Sequence, residues 1–418
     1  MQTALDETSL VSALQSAFSK ISEERMLQTL SELCSDKYQG RRTGTTAHDL
    51  ARKWITANMV ELGLRQRTHA FYTENEFLDL YAPARLLELD DKGNVKREFE
   101  HRVEFAEHPR SKELDHFAEG VVEAFSEQAD LANKFVIFDQ SSRLDLGEFS
   151  KQVRNRGALG VIVAQSVDKN GFFWKQLVPP PMVDLPVMFV RSDIVSTVIG
   201  KKLRALLPLT RTRIEGENVI GEIEGSDESL KNYPLIVSAH YDAVGDDPIS
   251  HRIPGAGDNA AGVAVVLELA RILTSSKVIP KRAIQFVAFD AEEANASGSY
   301  EYAKFMKENR MNPIVLNLDG AGVYRGTVTV EAGGNNPKDL IEALDITGKK
   351  LGIPLAMGNV ASDNRRFASL GFASAGVALG IRALHTPADR IETVDSDAMR
   401  KAAELFLSAI WKLAYDLA

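Results

Sequence analysis

Five short stretches of this sequence place metal-compatible side chains where apolar runs end. In Ala239-His240-Tyr241-Asp242, His240 and Asp242 stand two apart, and residues two apart on a strand face the same side. A carboxylate behind an imidazole fixes its tautomer and raises its basicity, as a metal-bound histidine requires. Asp258 follows in the glycine-rich run Gly255-Ala256-Gly257-Asp258-Asn259, where each of its two oxygens could bind one cation. Asp290-Ala291-Glu292-Glu293 comes directly after Gln285-Phe286-Val287-Ala288-Phe289. Side chains diverge as a chain leaves a strand, so one glutamate could bind metal while its neighbour holds a water as general base. Asp319-Gly320 and His385-Thr386-Pro387-Ala388-Asp389 complete the series.

Each stretch also has an ordinary explanation. Asp and Asn cap helices, first-turn glutamates complement the helix dipole, and Asp-Gly makes turns. Together, however, the stretches supply two histidines and three carboxylates as ligands, with one carboxylate to spare. Oxygen and imidazole donors without thiolate suit zinc, with cobalt or manganese as alternatives. Five ligands exceed the needs of one tetrahedral ion and match two ions sharing a carboxylate.

The elements that must position these residues follow from the pattern. From about Asn218 onward, strands alternate with helices. Leu235–Ala239, Arg282–Phe289 and Ile314–Leu318 read as strands, and Ala260–Leu273 and Ser299–Glu308 as helices. This alternation predicts an α/β fold with a mixed, mostly parallel sheet flanked by helices. In such a sheet, ligands bind beyond the carboxyl ends of the strands, where the five stretches fall. Helical spacing also marks about Leu5 to Leu33 and Ala47 to Leu62. Between about Ala84 and Thr212 the texture changes to short β-rich runs, a helical piece from Leu146 to Asn155, and the prolines Pro179-Pro180-Pro181. We expect residues 84–212 to form a smaller β-rich insert, with 1–83 and 213–418 forming the main domain. The segment from about Leu351 to Ala361 has no assigned role.

Composition narrows the function classes. The chain has 418 residues, with 49 Lys and Arg against 58 Asp and Glu, a net charge of −9. That balance is a poor match to the nucleic-acid backbone. No apolar run approaches the roughly 18–20 residues of a membrane span. The start, MQTALDETSL, has neither the basic nor the apolar part of an export signal. The single cysteine, Cys34, excludes an internal disulfide framework and any multi-cysteine zinc site. Localisation and oligomeric state are unconstrained by these features. The other six histidines (His48, His69, His101, His108, His116, His251) are expected to be structural or on the surface.

The order His240-x-Asp242, Asp258-Asn259, Glu292-Glu293, Asp319, His385-Thr-Pro-x-Asp389 resembles the co-catalytic zinc aminopeptidases of peptidase family M28. Gly40-Arg41-Arg42-Thr43-Gly44-Thr45 is similar to the N-terminal Gly-Arg loop of that family. Ser362-Asp363-Asn364-Arg365-Arg366-Phe367 resembles its Ser-Asp-His-x-x-Phe segment, and the insert resembles a protease-associated domain. The resemblance implies two zinc ions bridged by Asp258, with His240 and Asp319 completing one site and Glu293 and His385 the other. It implies Glu292 as general base, Asp242 and Asp389 as supports, and peptides with a free N-terminus as substrates. Asn364 departs from the usual His, Asn295 from the usual Gly, and Asp290 from the usual small residue. Asp290 is therefore expected to add a charge near the site. A dipeptidase or carboxypeptidase would need an arginine clamp for the substrate carboxylate, for which Arg365, Arg366 and Arg382 are candidates. A glutaminyl cyclase and a metal-free binding protein are the remaining alternatives.

Overall fold

A computed structural model describes residues 7–73, 76–138, 145–178, 181–276 and 278–415. The larger sheet contains β1 (Arg65–Tyr72), β2 (Glu215–Ile223), β3 (Leu235–His240), β4 (Ile284–Phe289), β5 (Ile314–Leu318), β6 (Val328–Gly333), β7 (Leu355–Met357) and β8 (Ser374–Ala378). Their order across the sheet is β1-β2-β4-β3-β5-β8-β6-β7. The central strands β4, β3, β5 and β8 run parallel. Antiparallel strands flank them, β2 beside β4 and β6 beside β8. This is the mixed sheet, parallel at its centre, that the alternating pattern predicts.

Every residue of β3 and β4 is buried. That burial explains why these strands read as near-continuous apolar runs rather than alternating ones. The helices Glu23–Leu33, Ala261–Ser276 and Ser396–Tyr415 pack on one face, in a core centred on Val237, Leu269, Phe406 and Trp411. On the opposite face, Ser297–Glu308 and Asn364–Ser369 bury Tyr302 and Phe367 against Ile236, Val287 and Phe289.

A second sheet is built from residues 85–207, in the order Val95–Glu98, Arg85–Leu89, Lys202–Leu207, Leu114–Ala124, Lys134–Phe138, Gly160–Gln165, Val187–Arg191 and Phe105–Glu107. The helix Leu146–Arg154 packs on it through Phe149 and Val153. A two-stranded ribbon, Phe77–Leu80 with Leu209–Thr212, carries the chain out to this sheet and back.

Local chemistry adjusts several expected boundaries. The first helical stretch is two helices, Glu7–Phe18 and Glu23–Leu33, because the Ser22 hydroxyl accepts from the Arg25 amide at 3.3 Å and starts a new helix. Leu5, the first six residues, Pro179 and Pro180 lie outside the described residues. The helix after the Asp258 loop begins at Ala261, and the one after Glu293 begins earlier than expected, at Ser297. The unassigned stretch after Leu351 contains β7, a short edge strand paired with β6. Among the described residues, no helix is long and apolar enough to cross a membrane.

Candidate metal centre

His240 is the last residue of β3, Glu292 and Glu293 follow β4, and Asp319 follows β5. Asp258 lies on the turn before the helix Ala261–Ser276, and His385 lies on the loop after β8. The fold thus gathers every expected ligand at one end of the parallel strands. Two overlapping groups have ligand atoms mutually within 4.8 Å: His240, Asp258 and Asp319, and Asp258, Glu293 and His385. Asp258 belongs to both. One of its carboxylate oxygens lies 3.2 Å from His240 Nε2 and the other 3.1 Å from His385 Nε2. Glu293 approaches the same His385 nitrogen to 2.9 Å, and Asp319 approaches His240 Nε2 to 3.7 Å.

The supports around these groups are mostly backbone contacts. His240 Nδ1 lies 3.1 Å from the Asp242 carbonyl and 3.5 Å from its carboxylate. That carboxylate accepts from the amides of Glu292 (3.0 Å) and Glu293 (3.1 Å), so Asp242 ties the histidine strand to the paired glutamates. Asn259 donates to the Leu318 carbonyl at 2.9 Å and accepts from Gly320 N, joining the Asp258 turn to the Asp319 loop. The Asp258–Asn259 peptide bond is cis. Asp389, expected near His385, instead accepts from the amides of Gly257 (2.8 Å) and Asp258 (3.0 Å). It therefore holds the Asp258 turn rather than the imidazole.

Arg41 is fully buried and makes no ion pair among the described residues. Its guanidinium donates to the carbonyls of Tyr241 (2.8 Å), Leu33 (2.9 Å), Pro254 (2.7 Å) and Gly255 (2.9 Å). It fastens the segment between His240 and Asp242 to the turn that leads into Asp258. Neither Arg41 nor Asn259 was singled out as a site residue from the sequence. The signals were present, Arg41 in the Gly-Arg loop and Asn259 beside Asp258.

The electrostatics call for added positive charge. Burial would lower the pKa of His240, but Asp319, Asp242 and Asp258 outweigh it and raise it well above the usual imidazole range. Glu293 and Asp258 do the same to His385 against the same burial. Burial raises Glu292 far above the usual carboxylate range, with His240 opposing and Asp319, Asp363 and Glu293 adding to the rise. Burial lifts Asp363 to about 7, with Asp242 and Asp319 contributing. Among the described residues, His240 Nε2 and Glu293 Oε1 are buried with no hydrogen-bond partner, which is costly unless a ligand takes up their lone pairs. Buried nitrogen and carboxylate donors left open toward each other in this way fit a metal centre.

All three departures make structural contacts. The Asp290 carboxylate turns away from the centre and accepts from Thr43 Oγ1, Ala291 N and Glu217 N, with His48 Nε2 at 2.8 Å. The expected extra charge near the ligands is thus absorbed elsewhere, because four donors surround it. Asn364 is buried beside Gly376 and donates to the Glu331 carbonyl. Asn295 accepts from Arg366 through its backbone and side-chain oxygens, which locks the loop after Glu293 to the helix Asn364–Ser369. None of the six other histidines belongs to either metal-capable group.

Comparison with known proteins places these geometries in context. Residues 218–410 match the sequence profile of peptidase family M28. Aminopeptidase YwaD of Bacillus subtilis (strain 168) is 28% identical over 246 residues, covering 55% of this chain and 52% of the relative. A probable zinc metalloprotease of Pyrenophora teres f. teres is 36% identical over 126 residues, covering 29% of this chain and 25% of the relative. The chain spans about half the length, or less, of these curated relatives. A solved zinc aminopeptidase from Bacillus subtilis superposes with a TM-score of 0.68 at 23% identity, covering 94% of this chain and 95% of that one, and shares the fold.

Two outcomes are expected from this geometry. Arg41→Met would orphan four carbonyls in the interior and lower unfolding free energy by about 3 kcal/mol or more in urea titrations. The second concerns pH. Burial raises Asp363 and Asp389 to about 7, and His240 and His385 are also raised. All four shifts favour the proton-bound folded state, so each contribution is full below the group's unfolded value, 3.8 for the aspartates and 6.5 for the histidines, and is lost progressively as pH rises from there to the folded value. Chelator-stripped protein should therefore be less stable at pH 8 than at pH 5, and denaturant midpoints at the two pH values measure this.

Proposed function

Residues 218–410 belong to peptidase family M28, and from that premise we propose that the chain is a metallo-aminopeptidase holding two zinc ions and acting on peptides with a free N-terminus. The observation that carries the proposal is the shared carboxylate of Asp258, set between His240 and His385 with Asp319 and Glu293 beside them. His240, Asp258 and Asp319 would hold one ion, and Asp258, Glu293 and His385 the other. When bound, the ions supply Lewis-acid polarisation of the scissile carbonyl and lower the pKa of water.

The chain's own residues do the rest. Glu292, next to the ligand Glu293 but in neither ligand group, takes a proton from the attacking water on its carboxylate and returns it to the leaving amine. Its position depends on Asp242, whose carboxylate holds the Glu292 amide while backing the His240 ring. A base on a loop fixed in this way is presented without reorganisation, which is where much of its advantage lies. The insert of residues 84–212, read as a protease-associated domain, meets the centre through Lys175 N, which donates to the His385 carbonyl at 3.0 Å, and would limit what reaches it.

The dipeptidase and carboxypeptidase alternative finds little support among the candidate clamps. Arg365 Nε pairs with Glu331 at 2.7 Å, Arg382 Nη2 contacts both oxygens of Asp395 at 2.8 and 3.0 Å, and Arg366 Nη2 is engaged by Asn295. Each guanidinium is already committed in part within the protein, which counts against a substrate clamp.

Elemental analysis of purified protein, with a panel of amino acid p-nitroanilides and their N-acetylated forms, tests the proposal. Two zinc per chain and chelator-sensitive release from the free-amine substrates alone is the expected result. One ion or none, without release after zinc addition, would favour the cyclase or binding alternatives. Glu292→Gln should keep its metal while kcat falls by about 100- to 10,000-fold. Asp258→Ala should lose both ions, and retention of one full equivalent would argue against a shared carboxylate.

A further inference from the structure

The two halves of the centre are held in different ways. His240 has its ring backed by Asp242 on the same strand. His385 sits in a loop at φ +53, a left-handed conformation unfavourable for a residue with a side chain. Among the described residues, no hydrogen bond reaches its Nδ1. What fixes it is a backbone bond from the insert, with Lys175 N donating to the His385 carbonyl at 3.0 Å.

Lys175 is itself held without slack. It is 2% exposed, and its ammonium donates to the carbonyls of Gly245 (3.0 Å) and Asp246 (3.1 Å) and pairs with Asp247 at 3.3 Å. Arg102, also from the insert and fully buried, forks onto the same Asp247 carboxylate at 2.7 and 3.0 Å and pairs with Glu107. The Phe173 amide bonds the Arg102 carbonyl at 2.8 Å. A few residues on, Leu177 packs in one apolar cluster with Val244, Ala291 and Ala294, which flank the Glu292-Glu293 pair. Two buried cations on one carboxylate are an expensive way to dock a domain, since apolar contact would serve at lower desolvation cost. What such a network adds is a single geometry.

We propose that Lys175 is a positioning residue for His385, so that the insert completes the second metal site, Asp258–Glu293–His385, while the first, His240–Asp258–Asp319, is held by contacts from outside the insert. This rests on the two-ion proposal above. It makes the insert part of the metal centre and predicts unequal affinities for the two ions.

The test is zinc binding to the metal-stripped full chain, titrated against a chromophoric chelator, for wild type and Lys175→Met. Methionine keeps the backbone amide and the side-chain bulk but removes the ammonium. The expected result is two equivalents in wild type. In Lys175→Met the first should be unchanged, and the second weakened by about 10- to 100-fold, the range typical of lost supports behind metal ligands. Two equivalents bound as in wild type would overturn the proposal, as would equal weakening of both, which marks general destabilisation. Fewer than two equivalents in wild type would instead overturn the two-ion proposal itself. If Lys175→Met fails to fold, Asp79→Asn removes the charge of a part-exposed partner 3.7 Å from the ammonium. It should weaken the second equivalent in the same direction but less, and an unchanged second equivalent there overturns the proposal.

Discussion

Carboxylates gathered away from water must meet positive charge, because Coulomb energies that are modest in water grow several-fold in a protein interior. Asp258, Asp319, Glu293 and Glu292 converge at one end of the sheet, with Asp242 and Asp363 close behind. Their cationic neighbours are two imidazoles, both driven toward their protonated forms by the surrounding acids. The nearby buried guanidinium of Arg41 donates to backbone carbonyls and pairs with none of these acids among the described residues. The proposed pair of divalent cations would resolve this imbalance with the donors already facing one another. The surrounding structure then has to keep the acids from relaxing apart when the cations are missing.

It does so by converting side-chain placement into backbone placement. Two carboxylates outside the ligand groups hold amides of the ligand loops: Asp242 those of Glu292 and Glu293, and Asp389 those of Gly257 and Asp258. Arg41 and Asn259 act on carbonyls and amides in the same manner. Charge-assisted bonds of this kind are stronger than neutral ones, and several loops meet at each of them. Asp242 has a double role, because the carboxylate behind one ligand's ring also sets the residue proposed as base. Displacing it would disturb metal binding and proton transfer together.

What the sequence revealed and what it did not divide along this line. The expected ligands were legible because each carries an unambiguous donor, and His240, Glu293 and Asp319 stand at or just beyond the ends of strands of marked pattern. The parallel centre of the sheet was legible because β3 and β4 are buried on both faces and show it as unbroken apolar runs. The direction in which Asp290 points was not legible, although it stands one residue beyond β4. Its orientation is decided by Thr43 and His48, from a loop and helix roughly 240 positions earlier in the chain. Which ligand Asp389 supports was not legible for a related reason. Spacing places it near His385, but the amides that capture it belong to the turn before Asp258.

Long-range backbone bonds of this kind also explain why no motif marks Lys175. Nothing in Phe173-Trp174-Lys175 distinguishes it from any lysine after two aromatics. Its significance lies in one amide meeting one carbonyl across 210 positions, and in an ammonium with three oxygens around it. Ligand identity is a local property of a chain, readable from residue type and spacing. Ligand geometry belongs to the assembled fold, and on the proposal above one histidine takes its geometry from its own strand while the other takes it from the sheet of residues 85–207. Two ions bound by nearly the same donors need not be bound equally well, because the rigidity behind those donors differs.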